Sequence, residues 1–199
     1  MSTTPPADLS QMMSQVDGAA PGKPLPPVED WNPPNCGAID IRIARDGRWY
    51  HEGSPIGREP LVRLFSTILR HDPDGYYLVT PVEKLKITVE DAPFIAVRVD
   101  QIDGVLRFTT NLGDVTDAGP DHPLRVTVDA KTGEPAPYVH VRGGLLARLA
   151  RPVFYELVEM GVLLTTPTGP QVGVESAGVW FMLGSVDPAK LDPKALSPQ

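Results

Sequence analysis

The residues able to do chemistry are few and dispersed. The four histidines are His51, His71, His122 and His140, and the single thiol is Cys36. One cysteine allows no disulfide framework and no cysteine-based zinc site, and a histidine metal site forms only where the fold gathers the imidazoles. No catalytic residue, metal ligand or cofactor is therefore assigned. Cys36 is expected to be a small buried residue beside a strand. "HEGSP" at 51–55 begins like a zinc-protease helix but lacks the second histidine, and Gly-Ser-Pro is poor helix sequence. "GSPIG" at 53–57 is no nucleophile elbow, because its serine directly follows the first glycine. "GAAPGKP" at 18–24 falls one residue short of a phosphate loop and lacks the Ser or Thr. Carboxylate pairs such as Glu90-Asp91 and Asp114/Asp117 read as strand-end and loop residues; acid–base work would need one carboxyl in an apolar pocket.

The polar residues that share a face with an aromatic are more informative. In "PYVHVRGG", Val139 and Val141 point one way, and Tyr138, His140 and Arg142 point the other. Gly143-Gly144 then stands before a predicted helix, where backbone amides can hold an anion and Arg142 can clamp it. "DHPLR" adds His122 and Arg125, while Trp49, His51 and Arg58 surround the entry to an earlier helix. Two readings stand side by side: a set of solvated strand faces and helix-entry residues, or an anion or nucleotide site.

These side chains must be positioned by strands, because period-two alternation dominates the body. Ile39, Ile41 and Ile43 mark a strand that ends at the hairpin turn Asp46-Gly47. "YYLVT", "KLKITVE", "FIAVRVD", "VLRFTTN", "LRVTVD" and "YVHVR" continue the pattern, and "VLLTT", "QVGVES" and "VWFML" finish it. Two helices interrupt. In "EPLVRLFSTILRH", Leu61, Leu64, Phe65, Ile68 and Leu69 form one stripe, Pro60 suits the first turn, and Asp72-Pro73-Asp74-Gly75 stops it. The second lies in "GGLLARLARPVFYELVEMG", with Leu146, Leu149, Ala150, Val153 and Leu157 on one face. Pro152 makes it start near Leu149 or kink, and Gly161 ends it.

Hairpin, helix and strands thus occur twice. Gly47 to Gly133 and Leu61 to Leu149 are nearly equal intervals, which suggests a duplication. The expected fold is α+β, with two similar halves at 36–117 and 118–186. Each half would be a curved, half-barrel-like antiparallel sheet with one packed helix. Neither buries much by itself, so the halves are expected to pack and leave a seam.

Residues 1–35 hold eight of the 23 prolines and show no hydrophobic periodicity. They read as a flexible Pro-rich arm whose end Trp31 could pin, and 187–199 reads as a similar tail. A net charge of −7 argues against a general nucleic-acid binder. No apolar run reaches the roughly 18 residues of a membrane span. The opening residues carry no signal-peptide pattern, so the expected location is cytoplasmic.

Several stretches, taken in order, resemble a bacterial family of domains of unknown function found mostly in Gram-negative species. They are Cys36-Gly37, Asp46-Gly47 with Trp49, "GSPIGREPLVRLF", "YYLVTPVEK", "ITVEDAPF", "FTTN", "HPLR" and "PYVHVRGGL". They span about residues 36–184. The resemblance implies a duplicated α+β fold whose C-terminal half is superficially similar to a pleckstrin-homology-like half-barrel. It also implies a nucleotide-like ligand at the seam and a signalling role. Placed here by polarity and motif position, the ligand residues are Trp49, Arg58, Asn111, His122, Arg125, Tyr138 and Arg142. Trp49 stays open between core plug and ligand wall. The function expected is a non-enzymatic regulatory module that binds a nucleotide-like or phosphorylated small molecule. The alternative is a protein–protein adaptor that uses an exposed sheet face and the Pro-rich arm.

Overall fold

A computed structural model describes residues 24–130, 132–167 and 169–186. Contacts group the chain into two units. The first runs to Pro93 and includes Gly143–Leu145; the second comprises Phe94–Arg142 and the chain from Leu146.

In the first unit a six-stranded sheet carries β1 (Asn35–Ile43), β2 (Trp49–His51), β3 (Ser54–Pro55), β4 (Leu69–Asp72), β5 (Gly75–Val79) and β6 (Glu83–Val89), in the order β3-β2-β1-β6-β5-β4. In the second, β7 (Phe94–Ile102), β8 (Val105–Thr110), β9 (Val115–Asp117), β10 (Leu124–Val128), β11 (Pro135–Arg142) and β12 (Leu145–Leu149) form the order β10-β11-β12-β7-β8-β9. Read from its other end, the second order repeats the first. Each sheet is two three-stranded meanders joined where the first strand of one runs parallel to the last strand of the other, β1 beside β6 and β7 beside β12. The chain is α+β with two similar halves, but each sheet is mixed rather than wholly antiparallel.

The repeat does not follow the intervals read from the sequence. Asp46-Gly47 turns β1 into β2, and its counterpart is Asp103-Gly104 between β7 and β8, not Gly133. Helix α1 (Glu59–Thr67) lies between the two meanders of its unit, whereas α2 (Arg151–Met160) follows the last strand of the other. The helices are not equivalents, and the spacing of Leu61 and Leu149 is coincidental. The division also falls at 93/94 rather than 117/118, because β7–β9 pair into the second sheet through β12.

Local chemistry explains the elements. Ile41 and Ile43 of β1 are buried while Arg42 between them stays partly exposed, where it pairs with Glu90 and its guanidinium carbon lies 4.2 Å from the Tyr50 ring centroid. Phe65 of α1 is fully buried, with Val62 and Ser66 beside it and Leu61 and Leu64 only half covered. The core stripe is therefore rotated from the expected one. α1 ends at Thr67, and Asp72-Pro73-Asp74-Gly75 turns β4 into β5 instead of stopping the helix. Burying a phenylalanine as fully as Phe65, Phe94 and Phe108 are buried contributes about 1.5–3 kcal/mol each.

"LLARL" is β12, and Gly143-Gly144, with φ of 50° and 74°, is the turn that feeds it. Helix α2 begins only at Arg151, which sets Pro152 in its first turn, where a missing N–H costs nothing. Gly161 ends α2, yet its φ is −68°; an added Cβ would lie 2.6 Å from Val172 Cγ1, so packing selects this glycine.

Two further expectations need comment. The end of the arm, residues 24–35, is held against the first unit, through Val28 and Arg70. Val28 is buried, and Arg70 Nη1 donates to the carbonyls of Val28 at 2.9 Å and Trp31 at 2.8 Å. The rest of the expected arm and the tail 187–199 lie outside the described residues. Cys36 is exposed, because the first residues of β1 pair with β6 at a part of the strand with no buried face.

A third sheet, β13 (Val162–Thr166), β14 (Gly169–Ser176) and β15 (Val179–Ser185), completes the second unit in the order β13-β14-β15. Ser176 ties it to the larger sheet: its Oγ accepts from the Leu106 amide at 2.8 Å and donates to the Ala118 carbonyl at 2.7 Å. No helix among the described residues is long and apolar enough to cross a membrane.

Candidate functional site

Strand β11 alternates as its sequence demands. Val139 and Val141 are buried, and Tyr138, His140 and Arg142 are half-buried on the opposite face. The antiparallel register sets Arg125 of β10 directly across from Tyr138, with the buried pair Leu124 and Val139 beside them. Arg125 is exposed and has no carboxylate partner among the described residues. From β12, the guanidinium carbon of Arg148 lies 5.9 Å from the Tyr138 ring centroid.

His122 comes from the β9–β10 connection and stacks on His140, with ring centroids 5.1 Å apart and an interplanar angle of 28°. Their Nδ1 atoms are 3.1 Å apart, so one donates and the other accepts, and both rings cannot be protonated without repulsion. The backbone fixes His140 on both sides. Its amide donates to the Pro123 carbonyl at 3.1 Å, and its carbonyl accepts from Thr116 Oγ1 at 3.1 Å.

Burial, and then the charge of His122, hold the His140 pKa below its ordinary value; a bond to the Asp121 backbone opposes this, and Arg125 adds to the lowering. Beside the pair, Arg107 grips Asp117 with two bonds, Nε at 2.7 Å and Nη2 at 2.8 Å. These bonds lower the Asp117 pKa, and His122 contributes to the same shift. The cluster thus offers an unpaired guanidinium, an aromatic face and two imidazoles that share a proton. Those are groups for holding an anion. No group of three or more His, Cys, Asp or Glu suited to a metal ion exists among the described residues.

Of the seven residues expected from sequence, the structure brings together His122, Arg125 and Tyr138. Arg142 shares their face, but Asp114 holds its guanidinium, which also lies over the Phe94 ring at 5.1 Å. Asn111 braces a turn: its Oδ1 accepts from the Ile95 amide at 3.0 Å, and its own amide donates to the Ile95 carbonyl at 2.8 Å. Trp49 and Arg58 belong to the first unit. Trp49 is 2% exposed and stacked on Phe65 at 6.3 Å, which makes it a core residue. Arg58 is exposed at the N-terminus of α1 and makes no side-chain cap. Gly143-Gly144 precedes a strand, so no helix N-terminus supplies amides there.

His140 and Arg148 are the additions. The alternation of β11 already pointed His140 outward. Arg148 was obscured because "LLARL" was read as helix; as a strand, the same alternation sets it opposite to Ala147 and Leu149.

The family model for the N-terminal domain of DUF1285, a domain of unknown function, matches residues 26–92. The model for the C-terminal domain of DUF1285, a protein of unknown function, matches residues 93–183. The boundary between the two agrees with the division between the units. Among solved structures, a DUF1285 family protein from Silicibacter pomeroyi is 45% identical, with a TM-score of 0.83 over 92% of this chain and 98% of that one. Another, from Shewanella baltica, is 27% identical with a TM-score of 0.49 over 60% of this chain and 90% of that one. No curated protein matches the chain.

Proposed function

The chain belongs to the DUF1285 family, and on that premise we propose that it is a cytoplasmic, non-enzymatic regulatory module whose second unit binds an anionic, phosphate-bearing ligand. A nucleotide-like molecule fits best: Arg125 takes a phosphate, His122 and His140 donate to it, and Tyr138 offers a face to a base or sugar. A role in signalling follows if the ligand reports a metabolic state.

One observation carries this reading. Among the described residues of the second unit, Arg98, Arg107, Arg142 and Arg151 each pair with a carboxylate, namely Asp100, Asp117, Asp114 and Glu134, and Arg148 is engaged with the Tyr138 ring. Arg125 has no carboxylate partner among them; it lies across from Tyr138 in register, and its charge acts on His140. In a chain of net charge −7, an arginine left unneutralised beside proton-sharing histidines has the character of a binding group.

The test is a thermal-shift series with inorganic phosphate, pyrophosphate and ATP, run on the wild-type chain and on Arg125→Ala. A ligand at a hundred times its Kd adds about 2.7 kcal/mol, which raises the Tm of a chain this size by roughly 5–10 °C. Arg125→Ala should melt at the wild-type temperature without ligand and lose most of the shift. Equal shifts in both proteins, or none with any phosphate, would overturn the reading.

A further inference from the structure

A second surface of the second unit is built for a different occupant. The pairing register sets Val162 across from Gly173, Gly173 across from Met182, and Glu175 across from Trp180. Leu164 lies two residues along β13 from Val162, so all of these side chains share one face of the third sheet. That face is not covered: Val162 is 56% exposed, Met182 48%, Leu164 42% and Trp180 37%. The Trp180 indole lies on Gly173, where an added Cβ would meet the ring and sit 2.6 Å from the Phe181 carbonyl. Beside the indole lies a groove of about 370 Å³ lined by Met160, Val162, Leu164 and Trp180, with Gln101 and Glu175 as its polar members.

The groove adjoins an open sheet edge. Among the described residues β13 pairs only with β14, and its ladder runs without a bulge from Val162 to Thr166. The Pro170 carbonyl accepts from the Val186 amide at 2.9 Å, so Pro170 faces β15. Thr165, its partner in register, therefore turns its N–H and C=O away from β14, and so does Leu163 two residues earlier. "VLLTT" carries none of the charges, prolines or bulges that normally protect such an edge.

Charge selects the partner. From Pro152 to Val186 the sequence has no Lys, Arg or His, and its ionisable groups there include the exposed carboxylates Glu156, Glu159 and Glu175. Two copies meeting here would oppose acid to acid, whereas a cationic segment would be attracted.

We propose that the β13 edge and the Trp180 groove receive an extended segment of another protein, one face of which carries apolar side chains and, two residues along, a lysine or arginine. It adds as a fourth strand on the Leu163 and Thr165 amides and carbonyls. Strands lie about 4.8 Å apart, so β14 is about 10 Å from the added strand, within reach of a long basic side chain. That side chain meets the Glu175 carboxylate and the face of Trp180. The apolar side chains cover Val162 and Leu164.

The test uses the full chain and a synthetic peptide with leucine and lysine at successive positions of one strand face and threonine between them, with the counterpart that has glutamate in place of lysine as control. Fluorescence titration gives affinity, and amide hydrogen exchange reports Leu163 and Thr165. The lysine peptide should bind and slow exchange at those two amides; the glutamate peptide should bind at least about tenfold more weakly. Thr165→Pro removes an outward donor and leaves the β14 ladder intact, so it should weaken binding about tenfold or more while the fold is kept. Glu175→Gln should weaken it about three- to tenfold. Peptide affinity that ignores both substitutions, or unchanged exchange at Leu163 and Thr165, would sink the proposal. So would sedimentation showing that the free protein dimerises and that Thr165→Pro abolishes the dimer, since the occupant would then be a second copy.

Discussion

His140 and His122 stack with their Nδ1 atoms 3.1 Å apart, in a position where burial disfavours charge on His140. The folded pKa of His140 lies below its ordinary 6.5, so as pH falls the unfolded chain takes up this proton first. The contribution to stability is complete above about pH 6.5, declines as pH drops toward the folded pKa, and is level below it. The Tm should therefore fall as pH drops below about 6.5. Substituting His140→Gln should flatten that part of the profile. Wild-type and variant profiles that stay parallel across this range would show that the pair is not the source.

Anion binding reverses the role of the same proton. A phosphate beside Arg125 supplies the negative charge that makes a protonated imidazole favourable, so affinity for pyrophosphate should rise as pH falls through the His140 titration. With His140→Gln the affinity should change much less with pH, while Arg125→Ala should lower it at every pH. Titration calorimetry at two pH values separates these outcomes. Affinity that falls with acid would place the phosphate away from the pair.

How much of this was legible in the sequence can be argued from individual residues. Alternation in β11 gave the faces of Val139, Val141, Tyr138 and His140 correctly, because a strand with one buried face leaves side-chain direction no freedom. The α+β class with two helices followed from the same periodicity. Register between distant strands did not. "LLARL" suits a helix by composition and became a strand because it pairs in parallel with β7. That long-range pairing also defines the true repeat and the division at 93/94. Trp49 and Arg142 could not be assigned from type alone, since Phe65 and Asp114, which decide their roles, are distant in sequence. The proximity of His122 and His140 depends on the β9–β10 connection and carries no local signal.

Arg70 predicts a large loss in the first unit. Its Nε and Nη2 bond the Asp72 carboxylate at 2.9 and 3.1 Å, while Nη1 serves the Val28 and Trp31 carbonyls. Lys84 also pairs with Asp72. Burial pushes the Asp72 pKa up, but the bonds from Arg70 and Lys84 outweigh it and hold the carboxyl below 3.8. This stabilisation is present above about pH 3.8 and is lost as pH falls through the folded pKa. Arg70→Ala should cost about 3 kcal/mol, or roughly 6–12 °C in Tm, and should speed exchange at the Asp30 and Trp31 amides. A loss below about 1 kcal/mol would mean that the 24–35 segment is held by Val28 alone.

Ser176 is the sharpest test of how the third sheet is fastened. Among the described residues its hydroxyl is the partner of two groups that come from β8 and from just after β9, the Leu106 amide and the Ala118 carbonyl. The residue is fully buried, so water cannot replace the hydroxyl without a rearrangement. Ser176→Ala removes only one oxygen, and the volume change is trivial. It strands a donor and an acceptor, each worth about 1–3 kcal/mol when left unpaired in the interior. The expected loss is about 2–4 kcal/mol by urea unfolding, with faster hydrogen exchange at Leu106 and at Ala177, whose amide bonds the Gly104 carbonyl at 3.1 Å. Cys, which keeps a weak donor and acceptor of similar size, should recover part of that loss, whereas Val should not. If Ala and Ser proved equally stable, the sheet would be held by its apolar face, Val174, Phe181 and Leu183, and the hydroxyl would be incidental.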